Sequence, residues 1–128
     1  MYILIKSDKS EIKPNVVAAD LKLAEAPEGW EWIDDKAPVA QELLLDATKE
    51  ELIESLSDRA LEERRAVMPD YKLQNAALGI YDAEVTAVIK ETCEKYRNEY
   101  YRVRELITKA KTTEEANAAA REANFNKL

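Results

Sequence analysis

The chain has 128 residues, a formal net charge of −7, 46% hydrophobic and 35% charged residues, two Gly, one Cys and no His. That length suits one domain with a modest core, and the hydrophobic share is too high for a disordered chain. Without His the commonest general base, the commonest metal ligand and every Ser-His or Cys-His pair are excluded, and one Cys rules out an intrachain disulfide.

The first apolar run, Tyr2-Ile3-Leu4-Ile5, is closed by Lys6 and Asp8. It is too short for a signal peptide or a membrane span, so a soluble chain is expected. Residues 2–6 favour a strand, and Ser7-Asp8-Lys9-Ser10 has turn composition. Pro14 and Val16-Val17 make 11–19 an irregular or edge-strand segment. Leu21 to Glu25 alternates apolar with polar, Pro27-Glu28-Gly29 supplies a turn, and Trp30 to Asp34 alternates again, which predicts a hairpin. In an extended segment Trp30 and Trp32 point the same way. Two flat side chains on one face can cover the chain's own helices, anchor another chain, or stack on carbohydrate. Around them Glu28, Glu31, Asp34 and Asp35 read as a solvated rim.

Ala37-Pro38 marks a boundary, and Val39 to Asp46, with Leu43-Leu44-Leu45, reads as a short helix or linker. Thr48 with Glu51 three residues on forms a capping box, which predicts that a helix starts there. Leu52, Ile53, Leu56, Ala60 and Val67 give it an apolar stripe, while Glu50-Glu54 and Asp58-Glu62 are like-charge pairs four apart. Pro69 ends it at or before Met68. A short helix opened by Pro69 then runs to Gly79, which fits a left-handed terminator.

Asp82 caps the next helix, to Lys111, the longest uninterrupted helical pattern in the chain. Its face carries Val85, Ile89, Cys93, Tyr96, Tyr100, Val103, Ile107 and Ala110 in steps of three and four. At 1.5 Å per residue such a rod is roughly 42 Å long and needs a partner along its length. Folding 48–68 back against it makes a helical hairpin. Cys93 reads as a small hydrophobe in that seam. Glu91-Lys95 and Glu105-Lys109 are acid-before-base pairs that support the helix. Thr112 with Glu115 caps a last helix whose Ala116, Ala119, Ala120 and Ala123 allow close packing, with Phe125 and Leu128 beyond it. The fold class is therefore α+β, predominantly α, with 1–46 a β-rich part and 47–128 a helical part of one domain.

The acids gather early: residues 1–46 hold ten acids against five bases, and 82–111 six against seven. The chain therefore lacks the basic stripe of a protein that tracks phosphate backbones, and neither nucleic acid nor membrane is an expected partner. Neither Gly lies in a phosphate-cradling loop, and no loop lays out the ~6–8 oxygens of a calcium site. No cofactor, no metal and no catalytic residue is expected.

From Ile89 on, the four-three spacing is coiled-coil-like for about three heptads. Since the helices at 48–68 and 112–124 are shorter than the rod, part of its aromatic face is expected to meet another chain, most simply in a homo-oligomer. The candidate partner-binding residues are Trp30, Trp32, Tyr96, Tyr100, Tyr101, Val103 and Ile107.

Two segments also carry a resemblance. Ala26-Pro27-Glu28-Gly29-Trp30-Glu31-Trp32-Ile33-Asp34 resembles a segment of small tailed-phage proteins of the tail-fibre-assembly type. Arg64-Arg65, Pro69-Asp70-Tyr71-Lys72 and Asn75-Ala76-Ala77-Leu78-Gly79-Ile80-Tyr81 look like helical segments of phage tail accessory proteins. The resemblance covers about half the chain and implies a non-enzymatic tail adaptor or fibre-assembly chaperone with tail or fibre proteins as partners, found in the virion or the host cytoplasm. A different class, an acidic inhibitor of a basic nucleic-acid-binding protein, is compatible with the −7 charge.

Overall fold

The computed structural model describes residues 1–18 and 25–128. Among the described residues there are four α-helices and a small three-stranded antiparallel sheet, so the fold is α+β and predominantly α. Two units divide it, Met1–Thr48 and Lys49–Leu128, and the first takes in the opening turns of the first helix. No helix among the described residues is long and apolar enough to cross a membrane.

In the first unit, β1 (Tyr2–Lys6) lies between β2 (Ile12–Ala18) and β3 (Trp30–Asp34), both antiparallel to it. Ile3, Leu4 and Ile5 are buried in succession, as a central strand with both faces covered requires. The turn after β1 is held by Asp8, whose Oδ1 accepts from the Ser10 amide at 3.0 Å. Pro14 falls on the edge strand β2, where it takes no hydrogen bond from the middle of a sheet. Pairing there jumps from Ile3–Val17 to Leu4–Lys13, a bulge that sets Pro14 to Val16 aside from the ladder. Of the expected hairpin, Trp30 to Asp34 is a strand paired with β1, whereas Leu21 to Ala24 lies outside the described residues.

The first helix, α1, is Pro38–Val67, longer at 30 residues than the 27 of the helix expected to dominate. Its start at Pro38 corrects the expected one at Thr48, and 39–46, read as a short helix or linker, is helical and forms its opening turns. Pro38 stands at the first helical position, where a missing N–H costs nothing, and Gln41 N donates to Ala37 O at 2.9 Å to close the first turn. The amides that Thr48 would cap already have carbonyl partners one turn back. The periodicity broke in the sequence because the apolar face changes side. At about 100° per residue, Ala40, Leu43, Leu44 and Ala47 centre on one face and Leu52, Ile53, Leu56 and Ala60 on nearly the opposite one. Glu42, Asp46, Glu50, Glu54, Asp58 and Glu62 recur at every fourth residue of α1, and all six are exposed.

The second unit is a helical hairpin with two short additions. After α1 come α2 (Asp70–Ala77), α3 (Ala83–Lys109) and α4 (Thr113–Arg121). Lys49 Nζ donates to the Thr108 carbonyl at 2.9 Å near one end of α3, and Met68 shares a cleft with Ile89 near the other, so α1 and α3 run antiparallel. Between them Leu56, Tyr96, Val103 and Ile107 form the core with Ala123 and Phe125. Asp82 caps α3 through Oδ1, which accepts from Val85 N at 2.8 Å. Thr112 caps α4 by accepting from Glu115 N at 3.1 Å, and the Glu115 carboxylate accepts from Lys111 N at 2.9 Å. Ala116 is fully buried, and Ala119 and Ala120 pack on the core, so the small-residue face lets α4 approach closely.

Candidate functional site

The segment linking α1, α2 and α3 is a tight corner with its own set of ties. Arg64 Nη1 donates to the Met68 carbonyl at 2.9 Å and to Asp70 Oδ1 at 2.8 Å, while Arg65 Nε lies 3.0 Å from Asp70 Oδ2. Arg64, foremost, holds the Asp70 carboxyl below its ordinary value. At the far end of α2, Gly79 adopts φ +73°. Gly79 N donates to Ala76 O and Ile80 N to Asn75 O, the paired bonds of a helix closed by a left-handed residue. Asn75 Nδ2 donates to the Tyr81 hydroxyl at 3.2 Å. Every one of these residues belongs to the segments that carry the resemblance or directly adjoins them.

Several side chains of those segments face solvent. Leu78 is 75% exposed and Ile80 62%, and Tyr71 also faces solvent. Tyr81, next to Ile80, lines a cleft of about 510 Å³ with Met68, Lys72, Glu84, Val85, Val88 and Ile89. Val88 is 59% exposed, and Val85 is exposed beside it. Single exposed apolar side chains are ordinary, but several grouped on one rigid corner mark a contact surface. Val85 was legible as part of the α3 stripe. Val88, beside Ile89, lies off that stripe and was missed, as were Leu78 and Ile80, which read only as neighbours of a terminating glycine.

The sequence-predicted partner residues fall into three groups. Tyr96, Val103 and Ile107 are buried in the chain's own core, and Phe125 and α4 occupy the face they were expected to offer. Tyr96 and Phe125 lie with ring centroids 6.2 Å apart and planes 9° apart, and the Arg59 guanidinium stands 5.3 Å from the Phe125 ring centroid. Tyr100 is half-buried and Tyr101 exposed, with centroids 5.4 Å apart, so this pair alone of the five α3 candidates reaches solvent. Trp30 and Trp32 share one face of the sheet, since they stand opposite Lys6 and Leu4. Both are half-buried; Lys13 Nζ lies 4.6 Å from the Trp30 ring centroid, and the buried Trp32 indole N–H has no hydrogen-bond partner. Trp30 and Trp32 thus belong to the first unit and the five α3 residues to the second.

A buried carboxylate explains why the C-terminal segment covers the α3 stripe. Glu99 accepts from Arg102 Nε at 2.7 Å, from Arg102 Nη2 at 3.0 Å and from Asn124 N at 2.8 Å. Arg102 Nη2 also donates to the Glu122 carbonyl at 3.1 Å, closing the end of α4. The Arg102 hydrogen bonds, foremost, hold the Glu99 carboxyl below its ordinary value, the Asn124 amide adds to this, and burial opposes them. This arrangement orients Phe125 inward; chemically it is a tether. A second cleft, of about 390 Å³, contains Arg64, Cys93, Arg97 and Tyr100 among its lining. No group of three or more His, Cys, Asp or Glu residues suited to a metal ion occurs among the described residues.

No family model, no curated protein and no solved structure matches the chain.

Proposed function

We propose that this chain is a non-enzymatic protein that works through protein–protein contacts, as a phage tail adaptor or a tail-fibre assembly chaperone. The observation that carries this reading is the corner around α2, where Leu78, Ile80, Val85 and Val88 are exposed on a backbone fixed by Arg64, Asp70 and Asn75. Apolar side chains presented on a pre-ordered scaffold bind with less loss of conformational freedom than the same side chains on a loose loop. The phage assignment comes from the resemblance in Trp30 to Asp34 and in Arg64 to Tyr81. Its test is co-expression with the products of the flanking genes. Co-purification with a tail or fibre protein, lost when Leu78 and Ile80 are both changed to Asp, is the expected result. Flanking genes unrelated to tails, or complexes indifferent to that double change, would refute it.

A second reading rests on a different observation. Within the second unit the exposed acids Glu50, Glu54, Asp58 and Glu62, at every fourth residue of α1, form a negative ridge, which suits an inhibitor that occupies a basic nucleic-acid-binding surface. Salt separates the two readings: binding through the ridge weakens steeply as salt rises, and binding through the apolar corner does not.

A further inference from the structure

The cleft at the corner is lined by charges of both signs. Lys72 comes from α2 and Glu84 from the first turn of α3, and Met68, Val85, Val88 and Ile89 supply the apolar lining. Among the described residues neither Lys72 nor Glu84 takes part in an ion pair within the chain. Further along α3 the seam is filled by α1, α4 and Phe125, with Tyr101 and Leu106 exposed outside it, whereas the exposed Val85 and Val88 of its first turns line this cleft.

We propose that a second copy of the chain occupies this cleft, in a two-fold dimer where Val85 and Val88 of each copy pack into the cleft of the other. Lys72 of each copy then meets Glu84 of its mate. In a two-fold interface the same patch faces itself, so residue i meets j while j meets i. Such a patch is complementary to itself in charge only if it carries both signs, and this cleft does, on two different helices. A foreign partner would place no such demand on it. The inference rests on the reading of the corner as a protein-binding surface and names one partner for its cleft.

The test is the mass of the full chain by light scattering and sedimentation from low to high micromolar concentration. A species of twice the 14.6 kDa of one chain is expected to grow with concentration. Val88 is exposed, so Val88→Asp is expected to leave melting unchanged while weakening dimerisation at least about tenfold. Lys72→Glu and Glu84→Lys each weaken it, and the two together restore it, because the swapped pair re-forms across the interface. A strictly monomeric wild type overturns the proposal. So does a dimer that survives Val88→Asp, or one in which the double charge exchange is no tighter than either single change. Failure here is distinguishable from failure of the functional reading: a monomer that still co-purifies with a tail or fibre protein removes only the dimer, and a dimer without such a partner removes only the tail role.

Discussion

Phe125→Ala is expected to destabilise the helical unit by about 3–5 kcal/mol, the range for removing a buried aromatic ring. Phe125 is 1% exposed and is among the largest fully buried side chains. Returning its ring to water forfeits roughly 1.5–3 kcal/mol of transfer free energy. Loss of the near-parallel contact with Tyr96 adds about 0.5–1.5 kcal/mol, and the space left beside Val103 and Ile107 adds a cavity cost. For a unit of this size about 3 kcal/mol corresponds to a fall in melting temperature of roughly 12–24 °C. Thermal and urea unfolding followed by far-ultraviolet circular dichroism would measure it. Leu128→Ala serves as the control, since Leu128 is half exposed and should be close to neutral. If Phe125→Ala melts within a degree or two of the wild type, the C-terminal segment is not part of the core and the account of the buried α3 stripe fails.

Further expectations concern the tether, the acid ridge and the corner. Glu99→Gln should destabilise the unit near neutral pH and lose that effect in acid: the folded carboxyl lies below its ordinary 4.5, so its contribution is complete above that value and disappears as pH falls through the folded one. A difference between wild type and Glu99→Gln that stays constant from pH 7 to pH 3 would show that the charge of Glu99 plays no part. Glu54→Lys breaks two like-charge contacts with Glu50 and Asp58, so melting should rise by roughly 1–3 °C at low salt and less at high salt; a fall would mean that Glu54 has a stabilising contact. Gly79→Ala should cost about 1 kcal/mol, because a Cβ there meets open space and only the φ of +73° is penalised. A urea midpoint unchanged by that substitution would indicate that the corner relaxes to another conformation.

Where a structural feature depends on neighbours in the chain, the sequence alone was sufficient. Asp82 capping α3, Thr112 capping α4 and Gly79 closing α2 were all readable, because each depends on side chains and amides within one helical turn. Strand character at Tyr2–Lys6 and Trp30–Asp34 was readable for the same reason, although the central place of β1 was not. The true start of α1 was hidden, since a Thr-x-x-Glu pattern caps a helix only where the chain before it is not already helical. The apolar face of α1 changes sides near Thr48, and a pattern search reads such a change as a break. On α3 the stripe was correct, but its occupant was misjudged: Tyr96, Val103 and Ile107 are covered by Phe125, which Glu99 draws in through Asn124 from 25 positions away in sequence. A helical period identifies which side chains share a face, because 3.6 residues per turn is a local property. What covers that face is decided by contacts between distant residues, and only the tertiary structure supplies them.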